Sequence, residues 1–277
     1  MCTGAPARSC WRLSGMASCD PMIANYHAHT WRCNHAVGRE EDYVQAAIAR
    51  GLKIFGFSDH TPYPFPWYYY SWFRMKTGEL GDYTATIWDL KQRYRDSLEI
   101  HIGLEAEYYP GSFPELVALL KDHPVEYLIL GQHFLDNEMG AHGSSMPTGN
   151  PELLTKYCRQ TMDAMQTGLY TYFAHPDIFN FTGDRGLYQE QIRRLCREAR
   201  SCGIPLEINL LGMEKGKHYP NRIFWEIAAE EGCQAVLGCD THDSKALADT
   251  RSEENAMAMV RALGMELLET VPLRPIR

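Results

Sequence analysis

The chain lacks any apolar run near the roughly 20 residues needed to span a bilayer, so no membrane partner is expected. It has nine cysteines, an odd number, scattered and without a C-x-x-C pair. That argues against a disulfide framework and a paired-cysteine zinc module. With many histidines and no secretory signal, it suggests a reducing cytoplasm. Basic residues are the minority, with Lys and Arg numbering 27 against 35 Asp and Glu, a formal net charge of -8. A chain of this charge is a poor match for a polyanion, so no nucleic-acid partner is expected. No Pro/Ser/Gly tract, charge block or low-complexity run divides the chain. Residues 1–21 are small, polar and aperiodic, and lack the apolar core of a signal peptide. They are expected to form a disordered extension outside the fold, with Met16 and Met22 as alternative starts. Residues 22–277 are then one domain.

What the chain does have begins at Tyr26-His27-Ala28-His29-Thr30. Residues two apart on a strand face the same side, so His27 and His29 can reach one ion. A lone H-x-H is weak evidence. It gains weight because metal-type residues recur at the ends of apolar runs: Asp59-His60, Glu105, His133, His175, then Asp240 and His242. Strand-like runs alternate with helical patterns about seven times. Helices are read over Glu40–Arg50, Asp82–Asp96, Phe113–Lys121, Pro151–Thr167, Leu187–Ser201, Asn221–Glu231 and Lys245–Leu263, the last with a possible break near Thr250. The alternation implies an α/β fold with a parallel sheet. An open sheet gathers ligands at one switch point, whereas a closed barrel brings every strand end round one mouth. The pattern therefore predicts a distorted TIM-like barrel, (β/α)7.

These motifs resemble the polymerase-and-histidinol-phosphatase (PHP) family of metal-dependent phosphoesterases. The likeness is carried by His27-Ala28-His29, His35, Ser58-Asp59-His60, Gly103-Leu104-Glu105, Gly131-Gln132-His133, Ala174-His175-Pro176-Asp177 and Gly238-Cys239-Asp240-Thr241-His242. The histidinol phosphatases of that family are nearest, through Cys33-Asn34-His35-Ala36, Glu207-Ile208-Asn209 and Tyr219-Pro220. The chain departs from them at Leu210-Leu211-Gly212-Met213, and at Cys239 and Thr241 where Ser and Ala are usual.

The resemblance implies two or three divalent ions. His27, His29, Glu105 and Asp240 would hold one. Glu105, His133 and His175 would hold a second, with Glu105 bridging. His35, His60 and His242 would hold a third. Mixed imidazole and carboxylate donors suit Zn, Fe or Mn. The implied reaction is hydrolysis of a small phosphomonoester, most directly L-histidinol phosphate in histidine biosynthesis, by a hydroxide shared between ions. Glu105, Asp240, His242 and Arg222 form the catalytic set.

For the substrate, Arg222 opens a helix after the sixth strand, where a guanidinium fork and free N–H groups both suit phosphate. Arg185, after the fifth strand, is the second phosphate candidate, and His218 is a top-loop contact. Glu107 shares a strand face with Glu105 and is placed at the substrate, with orientation of a ligand as its alternative. The aromatic loop Tyr63 to Trp72 is either packing or a wall for a substrate ring. An alternative substrate is a nucleotide or another small phosphoester. An amidohydrolase is a weaker reading, because the fourth strand end carries no Lys to bridge two metals. A non-catalytic module is disfavoured by the complete donor set.

Overall fold

Seven short strands form one parallel sheet in the order β1-β2-β3-β4-β5-β6-β7. They are β1 (Ala24–Asn25), β2 (Ile54–His60), β3 (Glu99–Ala106), β4 (Tyr127–Leu130), β5 (Tyr170–Phe173), β6 (Leu206–Asn209) and β7 (Ala235–Gly238). The computed structural model describes residues 21–276, so the expected extension lies almost wholly outside the described residues. Helices separate the strands: α1 (Glu40–Arg50), α2 (Leu80–Arg93), α3 (Phe113–Leu120), α4 (Pro151–Gln166), α5 (Arg185–Ser201), α6 (Leu210–Glu214), α7 (Arg222–Glu230) and α8 (Thr250–Leu263). The result is a distorted (β/α)7 barrel. No described helix is long and apolar enough to cross a membrane.

Caps explain where the helix boundaries differ from the sequence reading. The Asp184 side chain accepts Leu187 N–H, which starts α5 at Arg185 rather than Leu187. Asp249 accepts from Arg251 N and Ser252 N, so the expected Lys245–Leu263 helix splits into a 3-10 turn at Ser244–Ala248 and α8. The short α6 was not anticipated. Asn209 ends β6 and its side chain caps Gly212 N–H, turning the chain at once into a helix.

The H-x-H segment is also a correction. It is not a regular strand, since β1 ends at Asn25. It runs on to close the barrel seam instead. Ala28 bridges Thr241 in parallel, and His29 N–H donates to Thr241 O at 2.9 Å. The seam therefore carries donors from both ends of the chain.

Register sets which face carries what. Parallel neighbours point the same way, and Glu105 pairs with Ile129 and Glu207 with Val236. Ile129 and Val236 pack with Tyr26, Tyr127 and Tyr172 in a cluster inside the barrel. A larger cluster holds Phe55, Phe57, Leu104, Leu128 and Leu130 against the helices. Each such fully buried side chain contributes roughly 1.5–3 kcal/mol. Glu105 and Glu207 thus stand on an apolar floor at the strand ends.

Candidate metal centre

Glu105 lies at the middle of the site, 1% exposed and near the end of β3. Its two oxygens face different partners. Oε1 is 2.8 Å from His175 Nε2 and 3.4 Å from His133 Nε2. Oε2 is 3.0 Å from His60 Nδ1 and 3.5 Å from Nε2 of both His27 and His29. Asp240 Oδ1 lies 3.2 Å from His29 Nε2, 3.4 Å from His27 Nε2 and 3.5 Å from His242 Nδ1. His35, His60 and His242 form a further group of donor atoms within 4.8 Å of one another. The donors named from the sequence are therefore brought together in overlapping groups, and the two oxygens of Glu105 face different ones.

Two glycines make the close approach possible. A Cβ at Gly131 would stand 1.9 Å from Glu105 Oε1. One at Gly238 would stand 2.2 Å from Glu207 Oε2. Each space is taken by a carboxylate. The backbone is also strained where donors leave the strands. His175 and Asp240 sit at φ 32° and φ 48°, a region non-glycine residues rarely occupy.

The far nitrogens of four of the imidazoles are fixed by partners. His27 Nδ1 lies 2.8 Å from Glu207 Oε2 and His133 Nδ1 lies 3.0 Å from Glu107 Oε1. His35 Nδ1 meets Cys33 O at 2.8 Å, and His242 Nδ1 meets Asp240 O at 3.1 Å. A proton on each Nδ1 leaves Nε2 as a lone pair for a cation. Asn209 Nδ2 donates to both Glu207 and Asp240, at 2.8 and 3.0 Å.

The donor set fits divalent ions on its own evidence. Buried and without a hydrogen-bond partner are His27 Nε2, His29 Nδ1 and Nε2, His60 Nδ1 and both oxygens of Glu105. Buried polar atoms are normally satisfied, so such a convergence marks a ligand site. Electrostatics agree. Burial opposes charge on His27, but Glu207, Asp240 and Glu105 outweigh it and raise its pKa well above the usual range. His29, buried too, is raised to about 9 by Asp240 and Asp59. His60 is pushed well down by burial and by His29, and His242 is lowered to about 3 for the same reasons. Clustered buried carboxylates thus pull protons onto some imidazoles at the expense of others.

The mouth is on the side of His35, which is exposed, and of the partly exposed His133 and His242. Trp72 of the aromatic loop is 67% exposed and stands 6.4 Å from the His35 ring.

The substrate residues named from the sequence are placed less centrally. Arg222 opens α7 with a side chain 66% exposed and its Nε on Glu226 at 2.7 Å. Arg185 is exposed at the start of α5. His218 Nε2 is held by Ile178 O at 2.8 Å. Glu107 is a correction: it does not face open space. It is fully buried, with both oxygens on Arg74 and one also on His133, so it orients a donor. Asp177 is likewise buried, taking Asn221 N–H at 2.5 Å and Trp225 Nε1–H at 3.0 Å. Arg74, Asn209 and a donor-orienting role for Glu207 were missed from the sequence. The available signal was the pair of polar residues inside Leu206-Glu207-Ile208-Asn209, on a strand to which no site residue had been assigned.

Residues 25–210 match the PHP domain model. The chain belongs to the PHP family. Among relatives of this PHP protein, the probable histidinol-phosphatase of Deinococcus radiodurans is 30% identical, covering 79% of this chain and 86% of the relative. The probable histidinol-phosphatase of Schizosaccharomyces pombe is also 30% identical, over 80% and 81%. The PHP protein shares its fold with the solved structure of histidinol phosphate phosphatase from Lactococcus lactis, which is complexed with zinc, L-histidinol and phosphate. That likeness has a TM-score of 0.71 at 22% identity, covering 91% of this chain and 99% of the other.

Proposed function

We propose that this PHP protein is a metal-dependent phosphomonoesterase that hydrolyses L-histidinol phosphate. The observation that carries the metal dependence is the convergence of buried, unpartnered imidazole and carboxylate atoms around Glu105. The substrate is supported by the names of the relatives, two of them 30% identical over four fifths of this chain.

Divalent ions of Zn, Fe or Mn held there supply Lewis acidity toward phosphoryl oxygens and acidify water for the attack. The rest belongs to the chain. Glu105 turns one oxygen to His175 and the other to His60, and its charge would offset the repulsion between cations held by these donors. His27, His29 and Asp240 form one group, His133 and His175 complete a second, and His35, His60 and His242 form a third. Glu207 and Glu107 hold His27 and His133 with Nε2 facing inward. The dry Tyr and Ile floor excludes bulk water from below. Arg185 opens α5 after β5, Arg222 opens α7 after the short α6 that follows β6, and both are assigned to the phosphate. His218 is assigned to the rest of the substrate.

The test is a phosphatase assay across a panel of phosphomonoesters and nucleotides, with Zn, Fe or Mn added and metal content measured on the same sample. The reading requires the highest kcat/KM on histidinol phosphate and loss of activity on chelation. A higher kcat/KM on a nucleotide would overturn the substrate. Full activity in metal-free protein would overturn the metal dependence.

A further inference from the structure

Arg74 lies at the base of the aromatic loop between β2 and α2, with only 1% of its side chain exposed. A guanidinium carries five N–H hydrogens, and each one has an acceptor here. Nη1 donates to Thr61 O at 2.7 Å and Glu107 Oε2 at 3.1 Å. Nη2 donates to Glu107 Oε1 at 3.0 Å and Glu138 Oε2 at 2.8 Å. Nε donates to Glu138 Oε2 at 3.0 Å. Both carboxylates are sealed from solvent. One charge of +1 against two of -1 leaves this triad one negative charge beside the donor cluster. The Phe73 ring lies under the guanidinium at 4.3 Å and meets the His60 ring edge-on at 4.9 Å.

We propose that Arg74 is a positioning residue for the Glu105, His133 and His175 donor group, acting through Glu107. Glu107 Oε1 is shared: it takes one N–H from Arg74 and faces His133 Nδ1 at 3.0 Å. On the other side of that imidazole, Nε2 points at Glu105 Oε1. The fork holds both Glu107 oxygens and so holds the plane of the His133 ring. Glu138, from the loop after β4, clamps the guanidinium from the opposite side. A role in stability alone does not explain the arrangement, because apolar side chains of similar volume commonly replace a buried ion cluster at no loss. A carboxylate behind a metal-binding imidazole, by contrast, sets its orientation and basicity. The inference rests on the metal-dependent reading above.

The experiment titrates metal-free wild type, Arg74→Met and Arg74→Lys with zinc against a chromophoric chelator. The melting temperature of each metal-free protein is recorded alongside. In both variants one equivalent of zinc should bind roughly 10- to 100-fold more weakly, with the other equivalents unchanged. Lysine should fail as methionine does, because three hydrogens cannot make five hydrogen bonds to four acceptor atoms. If the Arg74 variants do not fold, Glu107→Gln is the substitute, and it should weaken the same single equivalent. A clamp with only a structural role would lower the melting temperature and leave every zinc affinity at the wild-type value. That result in Arg74→Met, or failing that in Glu107→Gln, overturns the proposal. Wild type that takes up no zinc would instead overturn the metal-dependent reading, and this inference with it.

Discussion

His27 Nδ1 lies 2.8 Å from Glu207 Oε2, and neither side chain is exposed to solvent. The pair joins the first donor of the chain to a strand 180 residues further on. It decides which nitrogen of His27 faces the cluster. Glu207→Gln keeps the volume and removes the charge. Zinc affinity at the His27, His29 and Asp240 group should fall roughly tenfold or more. The melting temperature of the metal-free protein should hold within a few degrees. Unchanged zinc affinity in a competition titration would remove Glu207 from this role.

The two oxygens of Glu105 face different donors, so its loss should be felt at more than one ion position. Glu105→Gln is expected to reduce metal content at two positions together and to cost more activity than any single histidine change. Gly131→Ala should reproduce the defect without touching a donor, because the new Cβ would occupy the space of Oε1. Elemental analysis showing a full metal complement in either variant would sink the bridging assignment.

Arg222 is assigned to phosphate from its place at the start of α7. Arg222→Lys keeps a charge that can still pair with Glu226 but loses the fork. A drop of at least about tenfold in kcat/KM on the best phosphomonoester is expected, about 1.4 kcal/mol. Metal content should not change. Wild-type kinetics would assign the phosphate elsewhere, with Arg185 next to be tested.

At the other end of the barrel, Glu126 makes a pH-dependent contribution to stability. Burial alone would raise its pKa, but His101, Lys91 at 2.6 Å and the Ile102 N–H at 2.8 Å lower it to about 2 from the ordinary 4.5. The folded pKa is depressed, so the stabilisation is present above the unfolded value and is lost as pH falls toward 2. Glu126→Gln should therefore destabilise by roughly 1–2 kcal/mol at pH 7, allowing for partial exposure. The difference from wild type should shrink below pH 4.5. Denaturant midpoints at pH 7 and pH 3 check this. An equal difference at both would show that the carboxylate's charge is not what matters.

The alternation of apolar runs and amphipathic stretches was enough to imply the barrel, because strand and helix periods are local properties of the chain. The donors were legible for the same reason: His60, Glu105, His133, His175 and Asp240 each close an apolar run. What the sequence could not decide is which atoms face one another. The two oxygens of Glu105 divide between His175 and His60 only once β2, β3, β4 and β5 stand side by side. Arg74 reads as an ordinary loop arginine until the fold seals it between Glu107 and Glu138. Glu107 was placed at the substrate because its strand face was readable, while the residue filling the space in front of it was not. Those pairings join distant parts of the chain and depend on burial and hydrogen-bond geometry, which closure of the barrel alone supplies.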